Sequence, residues 1–500
     1  MHRTFIKSLI LIGVTALSLT LLPSALAQIV TSGLTGTVSG AVGKTGAGVA
    51  VTAVHTPTNA TFTATTNAAG RYNFRGLPVG GPYTVTAKSD LGEATVDDIV
   101  AVLGSEAEVN LTIKSDVLQL EKFIATGARN DLDATASGAG TTLSSDRMGN
   151  KPSSERSLAD MISASPLVTL RSTFGDREES QITAVGQNNR FNSVTIDGAR
   201  INDQFGLNGT GLASFFNPLS LDTIEQLSVQ ISPYDVRLAG FTGATINAVT
   251  KSGTNTYRGS AYYYFRGNQL AGHDLQGPNA RELTNTGVKL VPKLERRTFG
   301  ATFGGPIIRN KLFFFINFED FESISAGRDP RFSTPLESQI LTRLKQYSTD
   351  SGKTINWGNP VTSATTNMAT DTKYIAKLDW NINKDHRLSV RMSKTEGEVP
   401  QFGNFARGSS SNAGISGGGI TTSTDGHFYS QTRLETSEAA QLFSQWTPDF
   451  KTEVKYSSTK QDQQTPLNTV APMTYVFGVS GTDLLNNRAV TNGTYIAGTE

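Results

Sequence analysis

The sequence predicts a mainly β protein in three successive parts. These are a seven-stranded β-sandwich, a smaller α+β domain, and the first strands of an incomplete transmembrane β-barrel. Three observations predict it. Short runs in which apolar and polar side chains alternate recur from end to end, the period of half-buried strands. Turn formers separate them, the 500 residues including 49 glycines and 18 prolines. In the second half, connections alternate between tight turns and long polar loops, as in outer-membrane barrels.

Residues 1–27 read as a signal peptide. His2, Arg3 and Lys7 form a basic start, and Ser8–Leu22 is a mostly apolar run. At roughly 15 residues it is shorter than the about 20 that a helix needs to span a bilayer. Ala25-Leu26-Ala27 supplies a small-x-small cleavage pattern, placing the cut between Ala27 and Gln28. No later apolar stretch is long enough for a membrane helix, so residence in a membrane would require a barrel.

Residues 28–114 alternate with period two. Tyr72 and Phe74, then Tyr83, Val85 and Ala87, then Val109, Leu111 and Ile113 form apolar faces opposite polar ones. Asn67–Gly70 and Gly76–Pro82 are turn signals, and the spacing predicts a sandwich. His55 is the only histidine here and has no partner at metal-ligand spacing, so it reads as a surface-strand residue.

Residues 115–150 read as a linker. Within it, VLQLEKFIATG (Val117–Gly127) can extend and offer its backbone to a sheet edge, or serve as the first strand of the next domain. Asn130–Asn150 is rich in Gly, Ala, Ser and Thr and reads as flexible.

Residues 151–253 form the α+β domain. Ser157–Ile162 reads as a short helix, with Ser154 as its cap and Pro166 ending it. Gln181–Leu207 alternates through Val194 and Ile196 to an Asp197-Gly198 turn. Asp197, Asn202 and Asp203 lack the glycine and final glutamate of a calcium loop, which leaves turn chemistry. Thr223–Gly253 carries a strand through Ile224, Leu227, Val229 and Ile231, and a turn at Pro233. Gly240 and Gly243 mark sharp bends or close approaches, and a second strand runs through Ile246, Ala248 and Val249.

Residues 254–500 supply the wall strands: Tyr257–Arg266, Arg296–Phe303, Lys311–Phe321, Thr372–Trp380, His386–Lys394, Ala439–Trp446 and Lys451–Tyr456. Tyr374, Ala376, Leu378, Trp380, Leu388, Val390, Met392, Val454 and Tyr456 should face lipid. Lys373, Lys377, Asp379, Arg387, Arg391, Glu453 and Lys455 should face inward, because Lys or Arg on the lipid side costs roughly 2–4 kcal/mol at the midplane. Trp380, Trp446 and Phe450 lie near the tight turns, where an interfacial aromatic girdle belongs.

Several of these strings resemble known families. TTNAAGRYNFRGLPVGGPYTVTAK (Thr65–Lys88) is similar to carboxypeptidase-regulatory-like modules, and no catalytic set accompanies it. SPYDVRLAGFTGATINAVTKSGTN and NNRFNSVTIDGARINDQFGL resemble the plug domain of TonB-dependent outer-membrane transporters, in particular the Oar-like branch. Ser157–Ile162 is similar to the plug helix of that family. Leu120, Glu121, Lys122, Phe123, Ile124, Ala125, Thr126 and Gly127 resemble the TonB box, with Ile124-Ala125 where relatives usually carry two valines.

The resemblance implies a Gram-negative outer-membrane protein, with the sandwich and plug on the periplasmic side. The plug closes the barrel, ligand binds extracellular loops and plug apices, and TonB draws on the inner-membrane proton gradient to open it. The implied partners are TonB, outer-membrane lipid and an unidentified extracellular ligand or protein cargo. The Oar-like branch also implies an alternative role in protein export, adhesion or surface organisation. Plugged barrels of this family have about 22 strands, so seven or eight strands read as the N-terminal part of a longer protein.

Other classes fit less well. Lys plus Arg number 44 against 43 for Asp plus Glu, a net charge of +1, which argues against a dedicated nucleic-acid binder. With no cysteine there is no disulfide, thiol nucleophile or thiolate metal site. No serine elbow, HExxH, P-loop or paired acid–base set stands in a fitting context, so no catalytic, cofactor or metal residues are expected.

Overall fold

The computed structural model describes residues 30–40, 46–90, 92–113, 139–153, 156–171, 181–206, 208–231, 240–267, 270, 294–326, 332–360, 366–401, 421–427, 429–447, 450–466, 474–483 and 488–497. The expected signal peptide with its Ala27–Gln28 cut, the segment Leu120–Gly127 and the turn at Pro233 lie outside the described residues.

The N-terminal sandwich contains β1 (Ser32–Gly40), β2 (Ala50–His55), β3 (Ala60–Thr65), β4 (Arg71–Leu77), β5 (Gly80–Ser89), β6 (Gly92–Ala101), β7 (Glu106–Glu108) and β8 (Leu111–Ile113). One sheet is ordered β3-β2-β5-β6. The other sets β1 between β4 and the β7–β8 edge. Both β7 and β8 run parallel to β1, opposite Gly33–Thr35 and Val38–Gly40. They are two halves of one edge strand, so eight segments fill seven strand positions. The break falls at Val109-Asn110, where the Tyr72 hydroxyl donates to the Val109 carbonyl at 2.6 Å. Gly36 lies beneath that carbonyl, and a Cβ there would strike it. The alternating residues read from the sequence, Tyr72, Phe74, Tyr83, Val85, Ala87, Leu111 and Ile113, are buried in one core with Leu34 and Val51.

The middle domain contains β9 (Ala139–Ser144), α1 (Ser145–Asn150), α2 (Leu158–Ile162), β10 (Val168–Arg171), β11 (Gln181–Ala184), β12 (Ser193–Ile196), β13 (Ala199–Arg200), β14 (Ile224–Ile231) and β15 (Ala244–Thr250). Its five-stranded sheet is ordered β13-β12-β15-β14-β9, and β10-β11 is a separate pair. The Thr223–Gly253 stretch therefore supplies two adjacent strands of this sheet. A Cβ at Gly243 would strike Asn192 Oδ1, and Gly240 has φ 80°. Two sequence expectations change here. The linker expected over 115–150 gives up its last residues, because β9 pairs with β14 from Ala139 to Ser144 and Leu143 and Met148 enter the core. These two side chains anchor a stretch whose composition alone reads as flexible. The cap of α2 is Ser157 and not Ser154: Ser157 has extended backbone, and its Oγ accepts the Asp160 N–H at 2.9 Å.

The wall is a seven-stranded antiparallel sheet in sequential order. It contains β16 (Arg258–Gly267), β17 (Leu294–Ile308) and β18 (Leu312–Ala326). After the short β19 (Phe332–Ser333) and α3 (Glu337–Asp350) come β20 (Thr366–Asn381) and β21 (His386–Gln401). Following β22 (Thr421–Ser423), β23 (Tyr429–Gln445) and β24 (Lys451–Gln464) complete the sheet. All seven expected wall strands are present, and most are longer than the sequence indicated. No described helix is long and apolar enough to cross a membrane.

The two faces separate as the alternation requires. Tyr374, Leu378, Trp380, Met392, Val454 and Tyr456 are exposed, whereas Lys373, Lys377 and Arg391 are buried. The inward face of β20 also carries Ile375, which joins the middle domain's core. At the tight-turn end Trp446 donates to Thr452 Oγ1 at 2.9 Å and meets His386 edge-on at 5.0 Å. Met392→Lys, midway along β21, is expected to destabilise the wall by about 2–4 kcal/mol. Urea titration of the full-length protein refolded into bilayers measures this, with a lysine at the inward Ser393 as the low-cost control.

At the long-loop end, β25 (Thr474–Asp483) and β26 (Arg488–Ala497) pair with each other and are flanked by β19 and β22 in a sheet ordered β19-β25-β26-β22. Helix α3 and this sheet share a small core of Leu341, Trp357, Val479 and Tyr495. The sequence reading took the stretch from β18 to Asp371 as loop. Ile340, Leu341 and Leu344 have the helical spacing that marks α3.

The sandwich rests on the tight-turn end of the wall, and this corrects the reading of His55. That side chain is buried, with its ring 4.8 Å from Tyr83 and Nδ1 2.7 Å from Thr58 Oγ1. Burial, then the nearby Arg387 guanidinium of β21, push its pKa down to about 4, against the opposing pull of Asp379.

Candidate functional site

The inward face of the wall meets the middle domain in a band of buried charge. Asp197 sits at its centre, in the turn between β12 and β13. Its φ is 45° and that of Gly198 is 71°, the left-handed pair that an Asp-Gly hairpin turn favours. The turn brings the carboxylate to the wall, with Oδ2 3.3 Å from Arg391 Nε and Oδ1 3.9 Å from Lys377 Nζ. Thr250, at the end of β15, donates its N–H at 2.9 Å and its hydroxyl at 2.6 Å to the same carboxylate. Lys377 in turn donates to the Thr250 carbonyl at 3.0 Å. A Cβ on Gly198 would strike Lys455 Nζ of β24, so a third wall cation packs against the turn. Burial alone would raise the Asp197 pKa. Lys377, Arg391 and the two Thr250 hydrogen bonds outweigh it and hold the carboxyl below its usual range.

A second cluster lies along β18 and β20. Lys373 Nζ is 2.9 Å from Glu319 and 3.0 Å from Asp371, all three buried. Glu319 accepts the Tyr262 hydroxyl at 2.9 Å, and that hydroxyl is 2.8 Å from Ser220 Oγ of the middle domain. Farther on, the Arg433 guanidinium of β23 lies 3.7 Å over the Phe215 ring and donates to the Ser214 carbonyl at 3.3 Å. Thr395 donates to the Pro218 carbonyl at 2.9 Å. On β24, Thr459 donates to the Arg200 carbonyl at 3.0 Å and Gln461 to the Asn202 carbonyl at 2.9 Å. Most of these attachments are polar, and groups that separate can exchange them for water. The interface is therefore largely an electrostatic seat for the middle domain.

One ion pair lies nearer the rim. Arg156 and Asp222 approach to 2.6 Å with roughly a third of each side chain exposed, and Arg156 also stacks 3.9 Å over Tyr264. Arg156→Ala is expected to cost no more than about 1 kcal/mol, because solvent screens such pairs. Hydrogen exchange around α2 measures the effect.

The sequence reading placed Lys373, Lys377 and Arg391 on the inward face without partners, and it gave Asp197 only a turn role. Asn202 and Asp203 do serve the turn. Asn202 Oδ1 accepts the Val194 N–H at 2.9 Å, and Asp203 accepts the Phe205 and Asn208 N–H groups at 3.0 and 2.8 Å. Among the described residues no group of three or more histidines and carboxylates is placed to hold a metal ion. The signal that pointed to the seat was a run of charges on one face of strands whose other face is apolar.

Residues 133–245 match the family model of the TonB-dependent receptor plug domain. Residues 33–114 match the carboxypeptidase regulatory-like domain, and residues 249–362 match an outer membrane beta barrel domain. Over 371 residues the chain is 25% identical to the TonB-dependent transporter Oar of Myxococcus xanthus, covering 70% of this chain and 32% of that protein. These matches together support a TonB-dependent transporter similar to the Oar-like branch.

This Oar-like chain spans about a third of the length of that curated relative. Its middle domain is the plug, its wall is part of the barrel, and its place is the outer membrane. Among solved structures it is similar to the siderophore receptor PirA of Acinetobacter baumannii, with a TM-score of 0.43 and 14% identity over 65% of this chain and 40% of that one. It is also similar to the transporter YddB of Escherichia coli, with a TM-score of 0.43 and 10% identity over 73% and 44%. For the ferric enterobactin receptor PfeA of Pseudomonas aeruginosa the values are 0.39 and 15%, over 72% and 45%.

Proposed function

We propose that the full-length protein takes up an extracellular ligand through its plugged barrel, with energy delivered by TonB. TonB adds Leu120–Gly127 as an extra strand at its own sheet edge and pulls on the chain ahead of β9. The observation that carries this reading is the seat. The plug is held to the wall largely by ion pairs and hydrogen bonds, and β9, which follows the pulled segment, is an edge strand of the plug sheet. A pull on that segment loads the outermost strand first, and each polar contact that parts is rehydrated.

The test is the direction of transport. Cells making the full-length protein are offered radiolabelled ferric siderophores, oligosaccharides and peptides. Uptake predicts that one class accumulates in the periplasm only when both this protein and TonB are present. If no class accumulates and deletion instead depletes a protein from the culture supernatant, the role is export.

A further inference from the structure

The N-terminal sandwich docks at the seam between plug and wall and touches both. Gln226 of β14 is buried, and its amide pairs with sandwich backbone: Oε1 accepts the Leu103 N–H at 2.8 Å and Nε2 donates to the Ala101 carbonyl at 3.1 Å. A small apolar cluster beside it draws on all three domains: Val30, Val79 and Leu103 of the sandwich, Val249 of the plug and Phe443 of the wall. Gly80 closes over the neighbouring plug residue, where a Cβ would lie 2.9 Å from Glu225 Oε1. Asn310, in the tight turn after β17, accepts at its Oδ1 from Asn59 of the sandwich at 3.0 Å and from Asn255, just past the plug sheet, at 2.8 Å. The Asn255 N–H also donates to the Pro57 carbonyl at 2.8 Å, and Arg387 donates to the Gly76 carbonyl at 3.2 Å.

We propose that the sandwich is a clamp on the periplasmic mouth: docked, it holds the plug against the wall, and it undocks before the plug moves. The placement supports this. Gln226 lies on β14, which pairs with both β9 and β15, so holding β14 holds the strand on either side. The asparagine contacts tie the exit of the plug to a wall turn through the same sandwich loop. The chemistry makes docking reversible. The hydrogen-bonding partners named above are uncharged amides and carbonyls apart from Arg387, groups that water can satisfy once they part, and the apolar contact is small.

These 500 residues contain no cysteine, and any cysteine elsewhere in the full-length protein is first replaced by serine so that the introduced pair is unique. Asn59→Cys with Asn310→Cys is bridged by a reducible methanethiosulfonate linker in the full-length protein. The protein is then placed in a planar bilayer with KCl as the permeant probe, and urea is raised until the plug opens. The bridged protein is expected to open at a urea concentration higher, on the order of 0.5–1 M, than the same protein after reduction. Gln226→Ala with Leu103→Asp should open earlier than wild type. Opening of the bridged and reduced proteins at one urea concentration overturns the inference. Early opening of the Gln226→Ala, Leu103→Asp protein without that later opening overturns it as well, because it marks only a weakened plug.

Discussion

Asp197→Asn is expected to loosen the plug by about 3–5 kcal/mol, the usual consequence of removing one partner from a buried charge cluster. Asparagine tolerates the left-handed φ of 45° at this position, so the turn survives and the loss reports the charge. Lys377 and Arg391, 93% and 99% removed from solvent, would face no carboxylate at the turn. The cost exceeds the worth of the pair itself, because two desolvated cations are left behind. Methionine at position 377 in the Asp197→Asn background should therefore recover part of it. The readouts are the urea concentration at which the bilayer-embedded plug opens and hydrogen exchange in β12 and β15. Unchanged exchange would remove the seat from the account of how the plug is held.

The same site has a defined pH dependence. The folded-state pKa of Asp197 lies below the ordinary aspartate value of 3.8. A depressed carboxyl contributes its full stabilisation above the unfolded pKa and loses it as pH falls through the folded one. The contribution of Asp197 to the seat is thus expected to persist through neutral and mildly acidic pH and to be lost only below about pH 3.8. Wild type and Asp197→Asn should converge there.

Deleting Leu120–Gly127 from the full-length protein is expected to abolish energised uptake while leaving ligand binding at the cell surface intact. Strand addition needs a free, extended backbone. On the proposed reading the deletion removes that handle while every residue of the seat stays in place. Ile124→Pro should lower uptake nearly as far, since proline removes an N–H from the added strand. Accumulation of a labelled ligand and its binding to whole cells are measured side by side, with recovery of TonB in a pull-down as a third readout. Full uptake after the deletion would move the contact with TonB to another segment.

The residues explain which features were legible. The Tyr83-Val85-Ala87 and Tyr374-Ala376-Leu378 alternations encode a face each, because a strand's side chains repeat every two residues and one side must be apolar. That local rule located the sandwich core and all seven wall strands. It missed α3, whose short apolar stripe packs on strands more than a hundred residues later in the chain. It also missed β9, since a stretch rich in Gly, Ala, Ser and Thr becomes a strand only when β14 offers it an edge. His55 was misjudged for a related reason: the Tyr83 ring that packs on it comes from a neighbouring strand of the sheet.

By itself the amino-acid sequence determined the β architecture, the inward and outward faces of the wall and the resemblance to plugged barrels, all of which follow from local periodicity and contiguous strings. Only the tertiary structure decided which inward charge meets which plug group, that Asp197 is the shared counter-ion of Lys377 and Arg391, and that Gln226 fastens the sandwich to the plug. Those pairings join residues separated by more than a hundred positions. Their energy depends on burial and on distances of a few ångströms, which no linear pattern of residue types specifies.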